Sequence, residues 1–208
     1  QIERGEPYWL LDGIGWVIGI PSKIILWNIK VDNHNISTNT EMALARYLGT
    51  NELGNVKVRL NQYAPGGEWS RLFRNTSVGW GWRYTVGIIS TLFYTIIPGR
   101  ILGGDNYNPW TDTINIYSDH KAIALHEGGH AKDFAERKWE GTYGFFTAWP
   151  IVNLYPEALA SGDAISYLRA EGSAEEEKAA YKVLYPAYGT YLGGGFGEIA
   201  VPIAYPLY

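Results

Sequence analysis

The stretch at residues 123–134 constrains this chain more than any other, because it carries the pattern His-Glu-x-x-His in an apolar segment without proline. On a helix, residues four apart lie one turn above each other, so His126 and His130 point the same way. Two imidazoles with that spacing can bind one zinc ion, and the carboxylate of Glu127 can reach a water on that metal. The pattern therefore predicts a zinc-dependent hydrolase built around this helix.

Residues 121–138 carry the signals of a helix. Ser118 and Asp119 precede them as good N-cap residues, and no proline interrupts them. Gly128 and Gly129 argue against a helix, since each glycine in a helix interior costs about 1 kcal/mol relative to alanine. A helix that keeps two adjacent glycines is expected to let another backbone approach closely there. The helix should therefore be central and buried.

The composition indicates one folded domain that does not bind nucleic acid. The chain has 208 residues, 46% of them hydrophobic and 18% charged, with nine tryptophans and sixteen tyrosines. The net charge is −4 and no basic cluster is present, which argues against a nucleic-acid partner. Because the chain has no cysteine, any metal must be held by His, Asp or Glu side chains.

Two apolar segments bear on membrane contact. Residues 84–98 are shorter than the roughly 20 residues that a transmembrane helix needs, and residues 10–27 are interrupted by Asp12, Pro21 and Lys23. Both segments are predicted to belong to the core, and peripheral membrane contact is left open. The chain begins with glutamine and is rich in Trp and Tyr, which favours an extracytoplasmic protein that is periplasmic, secreted or a lipoprotein.

Short strands and helices are predicted to alternate before the motif. The expected strands are 16–20, 23–29, 55–63 and 111–117, and the expected helices are 38–49, 68–74 and 84–98. In the third strand, Val58 and Leu60 alternate with Lys57 and Arg59, which is typical of a half-exposed strand. The fourth strand runs directly into the helix that carries the motif.

Helices are also predicted after the motif. The expected elements are a loop at 141–149, a helix from Pro156 to about Arg169, a helix opened by the capping box of Ser173 and Glu176 and ending near Tyr185, and an extended or irregular glycine-rich tail. We find no internal repeat and no linker composition between these elements, which again indicates a single domain.

A third metal ligand must come from outside the motif, since a catalytic zinc usually has three protein ligands and one open position. Glu157 is the best candidate, because an antiparallel second helix could bring it over the two histidines. Asp133, Asp163 and Glu171 are its rivals. Asp133 lies so near the motif that it is better placed to support a histidine from behind than to bind the metal.

The remaining polar candidates are less informative. His120 is expected to be solvated and His34 to be structural or exposed, because both lie in polar segments before an element. A zinc peptidase also needs a side chain that steadies the oxyanion, usually Tyr, His or Arg, and sixteen tyrosines leave that choice open.

The chain resembles the zincin superfamily of metallopeptidases and, within it, the gluzincins. The resemblance lies in H-E-x-x-H at residues 126–130 and in the E-x-x-A pattern of residues 157–160, and it covers roughly residues 111–170. In gluzincins the motif helix is followed by a second helix that carries a glutamate ligand. The chain departs from the other gluzincin pattern, E-x-x-x-D, because Ser161 stands four residues after the glutamate and the nearest aspartate is Asp163.

This resemblance implies a zincin-like α+β fold, with a small mixed sheet packed on the active-site helix and on a following ligand-bearing helix. It implies one Zn²⁺ per chain, held by His126, His130 and Glu157, with Glu127 as the general base of peptide-bond hydrolysis. The candidates that would support these ligands from behind are Asp133 and Asp163.

The resemblance further implies that the strand at 111–117 lines the cleft and pairs with an extended peptide or protein substrate. Thr113, Asn115 and Tyr117 are then the residues expected to face that substrate. The single domain would span 1–208, with N-terminal strands and helices in 1–110, the active-site core in 111–170, and a C-terminal helix and glycine-rich tail in 171–208.

An alternative belongs to a different functional class. The chain could be a catalytically inactive binding protein of the cell envelope that keeps the zincin scaffold, since its aromatic side chains and glycine-rich tail suit an interaction surface. A solvent-open cleft at the metal would favour the enzyme, and a plugged site would favour the binding protein.

Overall fold

A computed structural model describes residues 2–102 and 104–196, which form a mixed α+β structure with a small sheet and many helices. The strands are β1 (Ile2–Arg4), β2 (Lys57–Leu60), β3 (Asn106–Asn108) and β4 (Thr113–Ile116). The helices are α1 (Trp9–Ile18), α2 (Ile20–Ile25), α3 (Thr38–Thr50), α4 (Pro65–Arg74), α5 (Trp80–Trp82), α6 (Ile88–Ile96), α7 (Gly99–Leu102), α8 (Lys121–Ala135), α9 (Glu140–Thr147), α10 (Pro150–Glu171) and α11 (Ala174–Phe196). A π-helical segment, Arg83–Gly87, joins α5 to α6.

The sheet is mixed and has the strand order β1-β2-β4-β3. β2 runs parallel to both β1 and β4, and β3 runs antiparallel to β4. Ile114 of β4 lies between Val58 of β2 and Tyr107 of β3. β4 is therefore an internal strand with both of its edges occupied, and β3 forms one edge of the sheet.

All four residues of β2 are buried, so the prediction of a half-exposed strand is wrong. Its cationic face is covered by carboxylates from other elements. Lys57 pairs with Glu3 of β1, and Nε of Arg59 lies 2.7 Å from Oε1 of Glu68 on α4. An alternating pattern shows which side chains of a strand are polar. It does not show that they are exposed, because charged side chains can be buried when they form ion pairs inside the protein.

Helix α8 lies at the centre of the fold, buried along most of its length against α3, α10 and α11. A Cβ placed on Gly129 would lie 2.9 Å from Cα of Ala160 in α10. A Cβ on Gly128 would lie 2.8 Å from the ring of Tyr47 in α3. The predicted approach of a second backbone is confirmed at Gly129, and the ring of Tyr47 occupies the space beside Gly128.

The carboxylate of Asp119 belongs to the start of α3 rather than α8. Its Oδ1 accepts hydrogen bonds from the N–H and the hydroxyl of Ser37 and from the hydroxyl of Thr40. The N-cap of α8 is His120, which makes no side-chain capping bond. The predicted caps, Ser118 and Asp119, are wrong because tertiary contacts give Asp119 partners that are distant in sequence.

The segment at residues 9–25 forms α1 and α2, so the predicted strands at 16–20 and 23–29 are wrong. Gly15 and Gly19 in this segment allow close packing of neighbouring groups. A Cβ on Gly15 of α1 would collide with the main-chain oxygen of Arg100 and with the ring of His34. Glycine at this position makes room for a neighbour without ending the helix.

Residues 140–147 form α9, so the predicted loop at 141–149 is wrong. Helix α10 begins at Pro150, and Pro156 lies inside it instead of opening it. Both prolines suit a helix start by sequence, and only Pro150 takes that position.

The capping box at the start of α11 is confirmed. The N–H of Ser173 donates to Oε2 of Glu176 at 2.9 Å, and the N–H of Glu176 donates to the hydroxyl of Ser173 at 3.2 Å. The helix continues to Phe196, beyond the predicted end near Tyr185 and through the glycines at 193–195. The rest of the predicted tail, 197–208, lies outside the described residues.

The two apolar segments predicted as core present large side chains to solvent. In α1 and α6 the exposed residues include Trp9 at 82%, Val17 at 57%, Ile89 at 55%, Phe93 at 61% and Ile96 at 67%. α1 packs against α7, the short helix that follows α6. Within the described residues, no helix combines the length and the apolar character needed to cross a membrane. We refer to these exposed side chains of α1 and α6 as the apolar face; large apolar side chains are also exposed on other elements, among them Trp27, Trp80 and Trp139.

Candidate metal centre

Three side chains from two helices converge at the centre of the molecule. His126 and His130 of α8 place their Nε2 atoms 3.1 Å apart. Oε2 of Glu157 in α10 lies 3.1 Å from Nε2 of His126, and Oε1 lies 3.5 Å from Nε2 of His130. Among the described residues these three form a group able to hold one metal ion. The structure thus brings together the two motif histidines and the glutamate chosen from the sequence.

The packing of α8 on α10 positions these ligands. His126 and His130 lie one helical turn apart on α8, on either side of the two glycines. Ala160, which touches Gly129, lies three residues after Glu157 on α10. At Gly129 no side chain separates α8 from α10, so the two helices lie close together there. The Glu157 carboxylate, one turn from Ala160 on α10, is therefore held against the imidazoles of His126 and His130.

The three ligand atoms fit a tetrahedral zinc ion. Bonds of about 2.0–2.1 Å in a tetrahedral arrangement place neighbouring ligand atoms about 3.3 Å apart. The two imidazole nitrogens lie 3.1 Å apart and Oε2 of Glu157 lies 3.1 Å from Nε2 of His126, which agrees with that spacing. The contact of 3.5 Å with Nε2 of His130 is made by the other carboxylate oxygen, Oε1. In addition, Oε2 of Glu157 is buried and has no hydrogen-bond partner among the described residues. A buried carboxylate oxygen left without a hydrogen bond beside two imidazole nitrogens is what removal of a cation would leave.

The electrostatics of the site favour the ligand forms of its residues. Burial opposes ionisation of Glu157, yet the close contacts of its oxygens with the imidazoles of His126 and His130, at 3.1 and 3.5 Å, outweigh it and lower the pKa of Glu157 to about 2. Burial lowers the pKa of His126 below its ordinary value. At His130 burial acts in the same direction, but the carboxylates of Glu157 and Glu127 prevail and raise the pKa. A metal would therefore have to displace a proton at His130.

Two further residues of α10 hold the ligands in place. The hydroxyl of Ser161 lies 3.2 Å from Nδ1 of His126, and Nδ2 of Asn153 donates to Oε1 of Glu157 at 3.2 Å. Partners of this kind fix the orientation of metal ligands. Neither residue was predicted, although each stands four positions from Glu157, one turn away on the same helix.

The two aspartates expected behind the ligands pair with other residues. Asp163 binds the hydroxyl of Tyr47 and lies 2.6 Å from Nζ of Lys132, so its predicted supporting role is wrong and Ser161 occupies that position. Asp133 pairs with Arg137 and accepts a hydrogen bond from Tyr143 at 2.6 Å. Asp133 raises the pKa of His130 through its charge, without a hydrogen bond to that ring.

The remaining histidines are buried, so the predicted solvation of His120 is wrong, whereas the burial of His34 agrees with the structural role that was one of its two predicted alternatives. His34 is 8% exposed and its Nδ1 lies 2.9 Å from Oδ1 of Asn61. His120 is 9% exposed, and burial lowers its pKa to about 4. Glu171, a rival for the third ligand, is exposed at the end of α10. Both histidines lie away from the metal centre in polar segments that the fold encloses.

Glu127 lies buried beside the metal ligands. Its carboxylate accepts a hydrogen bond from the main-chain N–H of Tyr107 in β3. Burial raises the pKa of Glu127 to about 8, with a further contribution from the negative charge of Asp105. A carboxyl group with a pKa near neutrality suits a group that must both take up and release a proton.

The metal centre lies between two cavities. One has a volume of about 270 Å³ and is lined by His130, and the other has about 220 Å³ and is lined by His126. Asp105, Glu127 and Glu157 line both cavities. A ligand chain could therefore extend from the metal centre in two directions.

The predicted substrate strand is unable to pair with a peptide. β4 is hydrogen-bonded on both sides, and its residues are buried, as is Tyr117 beyond it. Thr113 donates to the main-chain oxygen of Thr111, and Asn115 is 1% exposed. The edge strand β3 is the one that lines the cleft, through Asn106 and Tyr107. The prediction that residues 111–117 pair with substrate is therefore wrong, because strand order was not readable from the sequence.

No protein-family model, curated protein or solved structure matched this chain. Its function must therefore be inferred from its own site, since a fold by itself does not determine an activity.

Proposed function

We propose that this chain is a zinc-dependent metallopeptidase with a gluzincin-like ligand set. The observation that carries the proposal is the convergence of His126, His130 and Glu157 beside the buried carboxylate of Glu127. One candidate ligand atom from each of the three residues lies within 4.8 Å of the other two, and three protein ligands leave one position open for chemistry. The adjoining cavities supply room for a substrate on both sides.

The residues of the site would divide the work as follows. A bound zinc ion supplies a Lewis acid that polarises a substrate carbonyl and makes a water acidic enough to lose a proton near neutral pH. Glu127 accepts that proton and transfers it to the leaving amine. The N–H of Tyr107 holds the Glu127 carboxylate in place, and Ser161 fixes the ring of His126. Asn153 does the same for Glu157.

The substrate would lie extended along β3. This strand is an edge of the sheet and lines the 270 Å³ cavity, so its outer main-chain groups can pair with a peptide. Its Tyr107 N–H also contacts the proposed general base, which would bring a paired peptide next to the reacting groups. Peptides are favoured over small esters because the cleft continues on both sides of the metal centre.

The decisive experiment measures zinc and hydrolysis together. Protein purified without chelator or added metal is expected to contain about one zinc per chain by elemental analysis. It should cleave members of a quenched fluorescent peptide library, lose that activity on dialysis against a chelator, and regain it when zinc returns. Zinc near zero with no uptake would refute the proposal and leave the inactive binding protein as the better reading.

A lipid-surface role has independent support from the apolar face of α1 and α6. Exposed Trp9, Phe93 and Ile96 have no covering element among the described residues, and uncharged faces of this kind bury themselves at the boundary of a bilayer. We propose that the chain contacts membranes peripherally, either as the enzyme or as a binding protein of the envelope. The two readings share this surface and differ in whether the metal centre is active.

Vesicle flotation tests the lipid-surface proposal. The chain should float with phosphatidylcholine–phosphatidylglycerol vesicles, and Phe93→Ser should weaken partitioning about 10- to 100-fold, since burial of a phenylalanine contributes about 1.5–3 kcal/mol. Phe146→Ser is the matched control, because Phe146 is 55% exposed on α9, outside the apolar face. Equal flotation of both variants, or none by the unaltered chain, would contradict the proposal.

A further inference from the structure

The 220 Å³ cavity beside the metal centre has an anionic wall that the proposed chemistry leaves unused. Asp32 and Ser22 line this cavity together with Asp105, opposite the centre residues His126 and Glu157. No lysine or arginine is among the described residues that line it. Its volume is below the roughly 300 Å³ of pockets for drug-sized ligands, which suits one side chain or one chain end.

Asp32 is the member of this wall whose hydrogen bonding is incomplete. Its side chain is buried, at 8% exposure for the residue, and its Oδ1 has no hydrogen-bond partner among the described residues. The neighbouring ammonium of Lys23 donates to the main-chain oxygens of Asp32 and Trp16, each at 3.1 Å. Lys23 therefore hydrogen-bonds to backbone groups and acts on the Asp32 carboxylate through its charge alone.

Asp105 differs from Asp32 in that both of its carboxylate oxygens accept hydrogen bonds. Its Oδ1 accepts the N–H groups of Tyr117 and Ser118 at 2.7 and 3.0 Å, and its Oδ2 accepts the hydroxyl of Ser118. Of the two aspartates, Asp32 is the one with a buried oxygen that has no hydrogen-bond partner among the described residues. Burial, and next the charge of Asp105, raise the pKa of Asp32 to about 7, against the charge of Lys23 and a hydrogen bond from Ser22, which lower it.

The backbone holds Asp32 in this position. Its φ is 45°, in the left-handed region that L residues rarely adopt, and its N–H donates to the hydroxyl of Ser118 at 2.8 Å. Residues held in this way against local preference cluster at ligand sites. Asparagine tolerates the same backbone region, so the carboxylate can be neutralised without disturbing the chain.

We propose that Asp32 forms a subsite for a cationic nitrogen group of the substrate, either a free α-amino group or a lysine or arginine side chain. The inference rests on the proposed peptidase function, because the cavity joins the metal centre through His126, Glu127 and Glu157. A buried carboxylate oxygen without a partner accepts a charge-assisted hydrogen bond from such a group. The subsite would make the enzyme selective for basic peptides or for peptide N-termini.

Binding to the zinc-loaded full chain carrying Glu127→Gln tests the subsite without hydrolysis. The probes are alanine-rich hexapeptides with one arginine placed at each position in turn, their citrulline counterparts, which keep the shape without the charge, and N-acetylated forms of both. At one or more positions the cationic peptide should bind about 10- to 100-fold more tightly than its neutral counterpart. Loss of affinity on acetylation alone would identify the α-amino group as the ligand.

Asp32→Asn should abolish this charge preference, and Asp163→Asn should keep it, because Asp163 pairs with Lys132 outside both cavities. The subsite would be overturned if the chain with Asp32 intact bound arginine and citrulline peptides equally and also bound free and acetylated N-termini equally, and these comparisons hold even if Asp32→Asn fails to fold. A preference that survives Asp32→Asn in a folded chain would overturn it as well. Failure of the peptidase proposal is seen separately, as no cleavage of any probe by the zinc-loaded chain with Glu127.

Discussion

Replacing Glu127 by glutamine is expected to lower kcat for peptide hydrolysis by a factor of about 10²–10⁴, the range that general acid–base groups contribute. Glutamine has the same shape and its amide oxygen can still accept the hydrogen bond from Tyr107, but it cannot take up a proton. The zinc content should stay at about one per chain, because the three ligands are untouched. Steady-state kinetics and elemental analysis on the same preparation measure both quantities.

The fold of this variant is expected to be at least as stable as that of the unaltered chain. A carboxyl group whose pKa is raised in the folded state stabilises the fold below its ordinary pKa, and that contribution is lost as the pH rises through the folded value, about 8 for Glu127. At pH 8 to 9 the metal-free Glu127→Gln chain should therefore unfold at the same or a higher temperature. Glu136→Gln, at the exposed end of the same helix, is the control and should keep full activity. Full activity of Glu127→Gln would refute the proposed role.

Replacing Glu157 by glutamine is expected to weaken zinc binding by well over the roughly 10- to 100-fold that loss of a supporting residue costs, because a ligand atom itself is altered. The carboxylate is the anionic member of the triad, and a neutral amide oxygen binds zinc poorly. Competition with a chromogenic chelator measures the affinity. The rise in unfolding temperature that zinc gives the unaltered chain should shrink in parallel, since ligand binding to the folded state stabilises it in proportion to affinity.

Glu171→Gln is the matched control for this experiment. Glu171 lies on the same helix as Glu157, is exposed, and was a rival ligand on the sequence alone. Zinc affinity unchanged in Glu157→Gln but reduced in Glu171→Gln would contradict the ligand set. Loss of binding in both variants would indicate a general effect on α10 and count against a specific role for Glu157.

The cluster of His126, His130 and Glu157 could be predicted from the sequence because it depends on short patterns within two helices. The spacing of His126 and His130 fixes their common face on a helix, and the paired glycines signalled the close contact with α10. Glu157 followed from the pattern after the motif, although its helix starts one and a half turns earlier than expected. Ser161 was visible as a departure from the gluzincin pattern, but its bond to His126 depends on how two helices pack.

The failures share a different cause, since each depends on contacts between residues far apart in the chain. The strand order that buries β4 and frees β3 is set by pairing across about fifty residues of sequence, which alternation within one strand does not encode. The charged face of β2 is buried because Glu3 and Glu68 cover it. The glycines of α1 resemble turn signals in sequence, and Gly15 is explained only by its neighbours in the fold, the main-chain oxygen of Arg100 and the ring of His34.

The contact between Gly129 and Ala160 sets the distance between α8 and α10. That distance determines how far Glu157 on α10 lies from the two histidines on α8. A bulkier residue at position 129 would push α10 outward and move Glu157 away from the two histidines. The three side chains would then lie too far apart for bonds of about 2.0–2.1 Å to one zinc ion. A glycine that is not itself a candidate ligand thus controls whether the candidate ligands converge.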